Sequence, residues 1–288
     1  MDLSHYQKEA TKTDQVKGDG REAILVPLLG LAGEVGTLLS EYKKFLRDGP
    51  AHSHFHNEVE EDLGDLLWYV ANVATKFGLD LSAVAEANLK KTQNRWPSDA
   101  CKYQLFDEAL PSIEQMPRRF QITFAEKLEG AKVRVVISRD GVVIGDPLTD
   151  NAHEDDGYRF HDVFHFSYAA VLGWSPISRS LLKVKRKSQP KLDEIEDGAR
   201  AKIIEELISQ LVYTYAREHN YLEGVSSVDY DLLQKIHTLV SDREVKVRSL
   251  ADWERAILTG YNAWRHIRQA HGGTIDVDLL AQSMVVVS

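Results

Sequence analysis

The sequence contains a single cysteine, Cys101, among 288 residues. One cysteine cannot form a disulfide within the chain, and the lack of a cystine framework favours a reducing compartment such as the cytoplasm. Eight prolines and 18 glycines are too few for a collagen-like or low-complexity chain. No uncharged apolar run approaches about 18 residues, and the first 15 residues lack the apolar core of a signal peptide. Both absences argue against secretion and against a membrane-spanning protein.

Positive charge is also scarce, since 35 lysines and arginines face 44 acidic residues, for a formal net charge of −9. A surface of this sign disfavours nucleic acid as a partner. An acidic protein that handles phosphates usually does so through metal ions. The hydrophobic fraction of 43% and the charged fraction of 27% are those of a globular chain long enough for two domains.

Apolar residues recur at helical spacing through most of the chain and predict a mainly α protein. We expect an N-terminal helical domain over residues 1–100 and a C-terminal α+β domain over residues 116–288. The predicted helices span about 22–47, 58–77, 82–95, 160–173, 192–218, 230–240 and 250–270. Pro97 ends the third helix, and Ser82 has the chemistry of its N-cap. Between about 119 and 146, β-branched runs broken at Glu129-Gly130 and Asp140-Gly141 predict a small antiparallel sheet.

Acidic residues follow one edge of the apolar stripe on each of the first two long helices. They are Glu34 and Glu41 on the first helix, and Glu58, Asp62 and Asp65 on the second, with Glu61 close by and with Tyr69 and Asn72 in the same sector. If the helices pack antiparallel through their apolar faces, these carboxylates converge at the margin. Carboxylates at a partly buried seam repel one another unless they are protonated or bound to cations, and such oxygen ligands suit Mg²⁺. The alternative is a solvated helix face without a ligand.

Three segments in this order, HYQKEATKT, LGLAGEVGTLLSEYKK and EEDLGDLLWYVANVATKFGLDLSAVAEANLKKTQNRWP, resemble the MazG-type all-α nucleotide pyrophosphohydrolases. The resemblance covers residues 3–97. It implies a cytoplasmic, dimeric hydrolase that uses Mg²⁺, or Mn²⁺, to split a nucleoside triphosphate into nucleoside monophosphate and pyrophosphate. The family binds the metal with an E-x-x-E pair on one helix and an E-x-x-D pair on the next.

The family's metal-binding positions are only partly retained in this chain. Glu34 matches the first acid and Asp65 the last, whereas Thr37 replaces the second acid and the shorter Asp62 replaces the third. The resemblance therefore implies Glu34, Asp62 and Asp65 as metal ligands. It also implies Glu34, Asp62 and Asp65 as catalytic residues, and Asn88, Lys91 and Arg95 as substrate-binding residues. Glu41, Glu58 or Glu61 could compensate for the acid that Thr37 replaces, and we include Glu61 among the candidate catalytic residues. Because Thr37 is a poor ligand, a non-catalytic nucleotide-sensing or interaction scaffold remains the alternative.

The C-terminal half carries a second group of polar residues on predicted helices. His161 and His165 stand at i, i+4 with Asp162 between them, and Asp197 and Arg200 fall on the apolar stripe of the following long helix. We expect His161, Asp162, His165, Glu196, Asp197, Arg200 and Glu205 to line a second pocket for a metal or a phosphorylated ligand. A buried ion pair beside two hydrogen-bonded histidines is the alternative. This half resembles a C-terminal extension of some bacterial MazG-like proteins, and a separate metal-dependent phosphohydrolase is a further hypothesis for it.

The N-terminal helices also predict association. Two long helices and one short one leave apolar stripes that a three-helix module cannot cover alone. Homodimerisation is the expected solution, and packing against the C-terminal half is the alternative.

Overall fold

A computed structural model describes residues 1–18, 20–96, 103–130 and 132–287. The chain forms two compact units, Met1–Gln93 and Asn94–Ser288. The prediction of a mainly α protein with a small antiparallel sheet in its C-terminal half is confirmed. Pro97 and Cys101 lie outside the described residues.

The N-terminal unit is built from helices. They are α1 (Leu3–Lys12), α2 (Arg21–Asp48), α3 (Phe55–Lys76) and α4 (Leu81–Arg95), whose last two residues belong to the second unit. The Asp2 carboxylate accepts a hydrogen bond from the His5 amide at 2.7 Å and caps α1. Asp80, and not the predicted Ser82, caps α4, because its carboxylate accepts from the Ala83 amide at 2.8 Å.

Helices α2 and α3 meet through a face that the sequence analysis did not predict. The buried residues of α2 are Ala23, Pro27 and Glu41, and the Gly30 backbone lies directly against the Tyr69 ring of α3. The buried residues of α3 include Asp62 and Asn72. The prediction that the helices pack through their apolar stripes with the carboxylates at the margin is therefore wrong. The carboxylate-bearing face of α2 is the one turned toward α3.

The apolar stripes of this unit are consequently exposed. On α2 the exposed side chains lie at the spacing expected for one helix face, and α3 carries a shorter stripe of the same kind. The exposed residues include Leu25, Leu28, Val35, Leu39, Tyr42 and Leu46 of α2, and Leu63, Leu67 and Val70 of α3. The buried apolar cluster of the unit consists of Ala10, Ala71 and Leu81, packed by Leu3, Tyr6 and Trp68.

Gly30 permits the close approach of α2 and α3, and this predicts the effect of adding a methyl group there. A Cβ atom on Gly30 would lie 2.2 Å from Tyr69 Cε1, whereas a Cβ on Gly36 would meet nothing within 4 Å. We expect Gly30→Ala to lower the free energy of unfolding by about 1–3 kcal/mol, because the Tyr69 ring must move. Gly36→Ala, the matched control, should raise it by about 0.5–1 kcal/mol through helix propensity. Urea unfolding followed by circular dichroism measures the free energy of unfolding of both variants. Equal values for Gly30→Ala and Gly36→Ala would contradict the contact between Gly30 and Tyr69.

The C-terminal unit combines helices with one sheet. Its helices are α5 (Asp162–Leu172), α6 (Pro176–Leu181), α7 (Pro190–Glu196), α8 (Ala199–Glu218), α9 (Tyr230–Leu239) and α10 (Leu250–Gln269). Its strands are β1 (Arg119–Glu129), β2 (Lys132–Arg139), β3 (Val142–Val143), β4 (Gly272–Asp278) and β5 (Ser283–Val287), in the spatial order β3-β2-β1-β4-β5. All pairings are antiparallel. Every residue of α5 is buried, so this helix forms the centre of the unit.

The sequence patterns predicted part of the sheet. Asp140 and Gly141 both have positive φ, 49° and 76°, as the predicted hairpin turn requires. Strands β4 and β5 were missed, because they lie outside the segment of about 119–146 in which a sheet was predicted. A Cβ on Gly272 would lie 2.7 Å from the Phe124 carbonyl oxygen, so the glycine permits close pairing with β1.

The predicted helix over residues 192–218 is interrupted in the structure. Helix α7 ends at Glu196 and α8 begins at Ala199. Gly198 occupies the break, where a Cβ would lie 2.1 Å from the Glu194 carbonyl oxygen. The break separates the helical phase of α7 from that of α8. Asp197 and Arg200 therefore do not lie on one continuous helical stripe.

Candidate functional sites

The contacts between α2 and α3 fix the register of the acidic seam, by which we mean Glu34, Glu41, Glu58, Asp62 and Asp65. Gly30 lies against Tyr69, and the Phe45 and Phe55 rings stack with centroids 4.3 Å apart. One turn beyond Gly30 and Tyr69 on antiparallel helices, Glu34 lies opposite Asp65. By the same register, Glu41 lies opposite Glu58. The seam therefore runs along the contact between the two helices.

Asp62 is the most enclosed acid of the seam. Its side chain is almost completely buried, at 7% exposure, and its Oδ2 atom has no hydrogen-bond partner within the described part of the chain. Burial raises the pKa of Asp62, and the charges of Glu41, Glu58 and Asp65 raise it further. A carboxylate that is desolvated among like charges gains from a bound cation, so the residues present fit a divalent ion.

Glu41 differs from the other acids because both of its carboxylate oxygens already have partners, one of them a lysine. Lys44 bonds one carboxylate oxygen, and His52 Nε2 lies 3.1 Å from the other. The Lys44 hydrogen bond lowers the pKa of Glu41 most, with burial opposing it and His52 adding to the lowering. Thr37 is exposed, and its hydroxyl donates to the Gly33 carbonyl at 3.4 Å. Glu41 is thus neutralised locally and does not replace the acid missing at Thr37.

The seam is more open than a tight metal cluster. Among the described residues, one group of three potential ligands has its donor atoms within 4.8 Å of one another, and that group lies in the C-terminal unit. Mg²⁺ keeps several water ligands and needs only one or two protein carboxylates in addition to phosphate oxygens. Glu34 and Asp65 at one level, with Asp62 one turn away, meet that requirement without a preassembled cage.

The remaining residues predicted for this site are placed differently from one another. Glu61, Asn88 and Lys91 are exposed. Arg95 is buried within the C-terminal unit, where its guanidinium donates to Ser227 Oγ at 2.6 Å and to the Val228 carbonyl at 2.8 Å and pairs with Glu254 at 2.8 Å. These bonds hold Arg95 Nη2 inside the C-terminal unit, and we leave Arg95 out of the proposed substrate site.

The second predicted site divides into two separate groups of residues. His161, Asp162, His165 and Glu205 do come together. His165 is fully buried, and its Nδ1 lies 2.9 Å from Glu205 Oε1. Burial lowers the pKa of His165, but the charge and hydrogen bond of Glu205 outweigh it, with Glu206 and Asp162 adding to the effect, and the pKa rises to about 10. Glu206, which was not among the predicted site residues, faces the same histidines.

Asp197 and Glu196 belong to a different group, centred on Arg186. The Arg186 guanidinium donates to Asp197 at 2.8 and 3.1 Å and pairs with Glu244 at 2.7 Å. Glu196 Oε1 accepts from the Glu244 amide at 3.2 Å. The predicted pairing of Asp197 with Arg200 is wrong, because the Arg200 side chain is 78% exposed and its nearest acid is Asp242 at 3.8 Å. Asp197 therefore belongs to a buried ion pair, but with Arg186 and not with Arg200.

Glu244 gives the unfolding of this unit a pH dependence. Burial raises the pKa of Glu244 to about 7, against the lowering effect of Arg186. Between its usual value of 4.5 and about 7, the folded chain therefore holds a proton that the unfolded chain has lost. The contribution of this group to the free energy of unfolding is present below that window and falls as the pH rises through it. Urea unfolding at pH values from 5 to 8 should show a shallower decline for Glu244→Gln than for the wild type, and identical slopes would contradict the shift.

A concave surface that encloses a volume of about 550 Å³ lies elsewhere on the C-terminal unit. Arg265, His266, Arg268 and His271 line it together with Tyr221, over whose ring the Arg268 guanidinium lies at 4.9 Å. None of the residues predicted for the two sites lines this surface.

Comparison with known proteins identifies the family. The model of the MazG nucleotide pyrophosphohydrolase domain matches residues 27–99, and that of the MazG C-terminal domain matches residues 101–288. The chain belongs to the MazG family. It is similar to the "Gene 37 protein" of Mycobacterium phage L5, with 35% identity over 101 residues that make up 33% of this chain and 89% of the phage protein. No solved structure matches.

Proposed function

We propose that the N-terminal unit hydrolyses a nucleoside triphosphate, with Mg²⁺ or Mn²⁺, to nucleoside monophosphate and pyrophosphate. The observation that carries the proposal is the acidic seam inside the MazG nucleotide pyrophosphohydrolase domain. There Asp62 is buried among Glu41, Glu58 and Asp65, and its Oδ2 atom has no hydrogen-bond partner among the residues that the structure describes. Such a site needs a cation, and a triphosphate is the nucleotide that brings one.

Each residue of the seam has a distinct part in this proposal. Glu34, Asp62 and Asp65 hold the divalent ion, which neutralises phosphate charge and activates water for attack. Glu61 lies beside Asp62 in sequence and is exposed, where it is accessible to a water molecule as a general base. Asn88 and Lys91, exposed on α4, contact the substrate phosphates.

Thr37 provides the observation that favours a second candidate function. With a hydroxyl in place of an acid, and with Glu41 paired to Lys44 and His52, the seam has fewer available carboxylates than the family motif. A domain of this kind that binds a nucleotide without hydrolysing it is a sensor or an interaction scaffold. Hydrolysis of any nucleotide at the seam excludes this alternative.

A nucleotide panel tests the proposal directly. The purified full-length protein is incubated with each nucleoside triphosphate and Mg²⁺, and pyrophosphate and orthophosphate are measured separately. We expect pyrophosphate as the initial product and no turnover in the presence of a chelator. Orthophosphate as the first product would contradict the proposal and favour a separate phosphohydrolase site in the C-terminal half.

We also propose that the exposed stripe of α2 is covered by a second copy of the chain. Among the described residues, one helical segment, Arg21–Ala51, is long enough and apolar enough to span a membrane. Glu34 and Glu41 lie within it, and charges at the centre of a bilayer are costly. Pairing with the same stripe of a second copy buries Leu39 and Leu46 and leaves Glu34 and Glu41 on the face of α2 that is turned toward α3. Sedimentation should show a dimer that Leu39→Glu dissociates, and a wild-type monomer would contradict the proposal. A soluble dimer of this kind with a single cysteine fits the cytoplasm.

A further inference from the structure

Three donor atoms of the C-terminal unit face one another without being bonded. His161 Nε2, His165 Nε2 and a carboxylate oxygen of Glu206 all lie within 4.8 Å of one another. Glu206 Oε2 is 3.6 Å from His165 Nε2 and 4.0 Å from His161 Nε2. The residues come from the start of α5 and from α8, two elements that a continuous core holds in place.

The second nitrogen of each histidine ring is already occupied, and this fixes the tautomers. His165 Nδ1 lies 2.9 Å from Glu205 Oε1, whose carboxylate is itself held by the Ser175 hydroxyl at 2.6 Å and by the Ile177 amide at 2.9 Å. His161 Nδ1 lies 2.9 Å from the Tyr158 carbonyl, which accepts its proton. Both Nε2 atoms therefore face the same space, and each would offer a lone pair to a metal ion that displaces its proton. A histidine whose far nitrogen donates to a carboxylate or a carbonyl is the usual arrangement behind a metal ligand.

His165 is completely buried, and its Nε2 atom makes no hydrogen bond within the described part of the chain. A buried nitrogen left unbonded costs free energy unless a ligand completes it. Asp162 Oδ1, 3.6 Å from His161 Nε2 and 3.8 Å from His165 Nε2, adds negative charge beside the gap.

Solvent reaches the gap from one side. The Glu206 side chain is 47% exposed and the His161 side chain 12%, whereas Glu205 is fully buried. An ion can enter past Glu206, and a position facing solvent remains for water. Three protein ligands with an open position is the arrangement of a catalytic rather than a structural zinc site.

We propose that His161, His165 and Glu206 bind one divalent transition-metal ion, with Zn²⁺ the best fit. Two imidazole nitrogens with one carboxylate form a borderline-soft ligand set that suits zinc better than magnesium. Metal–ligand bonds of about 2.0–2.2 Å require the three donors to move closer together than they are here. Rotation of the exposed Glu206 side chain supplies much of that movement.

Zinc titration of the metal-stripped, full-length protein tests the site, with calorimetry for affinity and stoichiometry. Glu206→Gln and His161→Gln should each weaken one zinc-binding event by about tenfold or more. Cobalt gives a second measurement, since the visible absorption of a low-coordinate Co²⁺ site should appear in the wild type and disappear in His161→Gln. Thermal unfolding of both variants without metal shows that they are folded.

Matched controls separate this site from others that attract cations. Glu218→Gln removes the same charge from the exposed end of α8, and His54→Ala removes an exposed histidine of the N-terminal unit. Asp65→Asn alters the acidic seam. All three should retain the zinc-binding event. Equal zinc affinity in Glu206→Gln, His161→Gln and the wild type would overturn the proposal. Wild-type binding only at millimolar zinc would also overturn it, as an adventitious ion only.

Discussion

Replacing Asp65 with asparagine is expected to lower the rate of pyrophosphate release by about 10²–10³-fold while leaving the fold intact. Asp65 lies opposite Glu34 in the seam and is exposed, so the substitution removes a metal ligand without creating a cavity. Loss of one charged group that stabilises the transition state typically costs this much. The measurement is the initial rate of pyrophosphate release at saturating nucleotide over a range of Mg²⁺ concentrations.

Glu60→Gln is the matched control for Asp65→Asn. Glu60 is an exposed acid of the same helix, so Glu60→Gln removes the same charge as Asp65→Asn. Glu60 lies outside the seam as defined by the register of Gly30 and Tyr69. Its rate should stay within about twofold of the wild type. An unchanged rate in Asp65→Asn would move the active site elsewhere in the chain. Equal losses in both variants would assign the effect to net charge and would also contradict the proposed site.

The sequence was sufficient to locate the three longer helices of the N-terminal unit but not to orient them, and α1 (Leu3–Lys12) was missed. Apolar spacing placed α2 within one residue of its observed bounds at each end, because a 28-residue helix has many repeats of the pattern. The same spacing led to a wrong prediction of how the helices pack, because an apolar stripe is normally buried against the helix that is nearest in sequence. Here Gly30 lets the carboxylate-bearing face of α2 approach Tyr69, and the stripe remains exposed. A close-approach glycine on the face opposite the stripe was the available signal.

In the C-terminal unit, the histidine pair was predictable and its partners were only partly so. The i, i+4 spacing of His161 and His165 on an apolar segment identified the cluster, and Glu205 was correctly included. Glu206, the next residue of α8, was left out of the predicted pocket, although it faces the same histidines. Arg186 was not among the predicted site residues, because its neighbours Lys185 and Lys187 give it the pattern of a solvated basic loop.

The buried position of Arg186 predicts the largest change in stability. Its guanidinium forms two hydrogen bonds with Asp197 and an ion pair with Glu244, and both Arg186 and Asp197 are completely buried. Arg186→Met keeps much of the side-chain volume but leaves the Asp197 carboxylate without its main counter-charge. A buried charge that loses its partner costs about 3–5 kcal/mol, so the free energy of unfolding should fall by that amount. Denaturant unfolding followed by tryptophan fluorescence measures it, since Trp174 and Trp253 are buried in the same unit.

Two further variants distinguish the loss of an ion pair from the loss of a side chain. Arg200→Met makes the same substitution at a side chain that is exposed, and its free energy of unfolding should change by about 0.5 kcal/mol or less. The double variant Arg186→Met/Asp197→Leu removes both charges, and it should recover part of the stability, because an apolar pair of similar volume often replaces a buried ion pair without penalty. A double variant less stable than Arg186→Met would show that Asp197 stabilises the fold without Arg186. In that case its remaining contacts, the backbone amide of residue 186 at 3.0 Å and Arg179 at 3.8 Å, would be the interactions that matter.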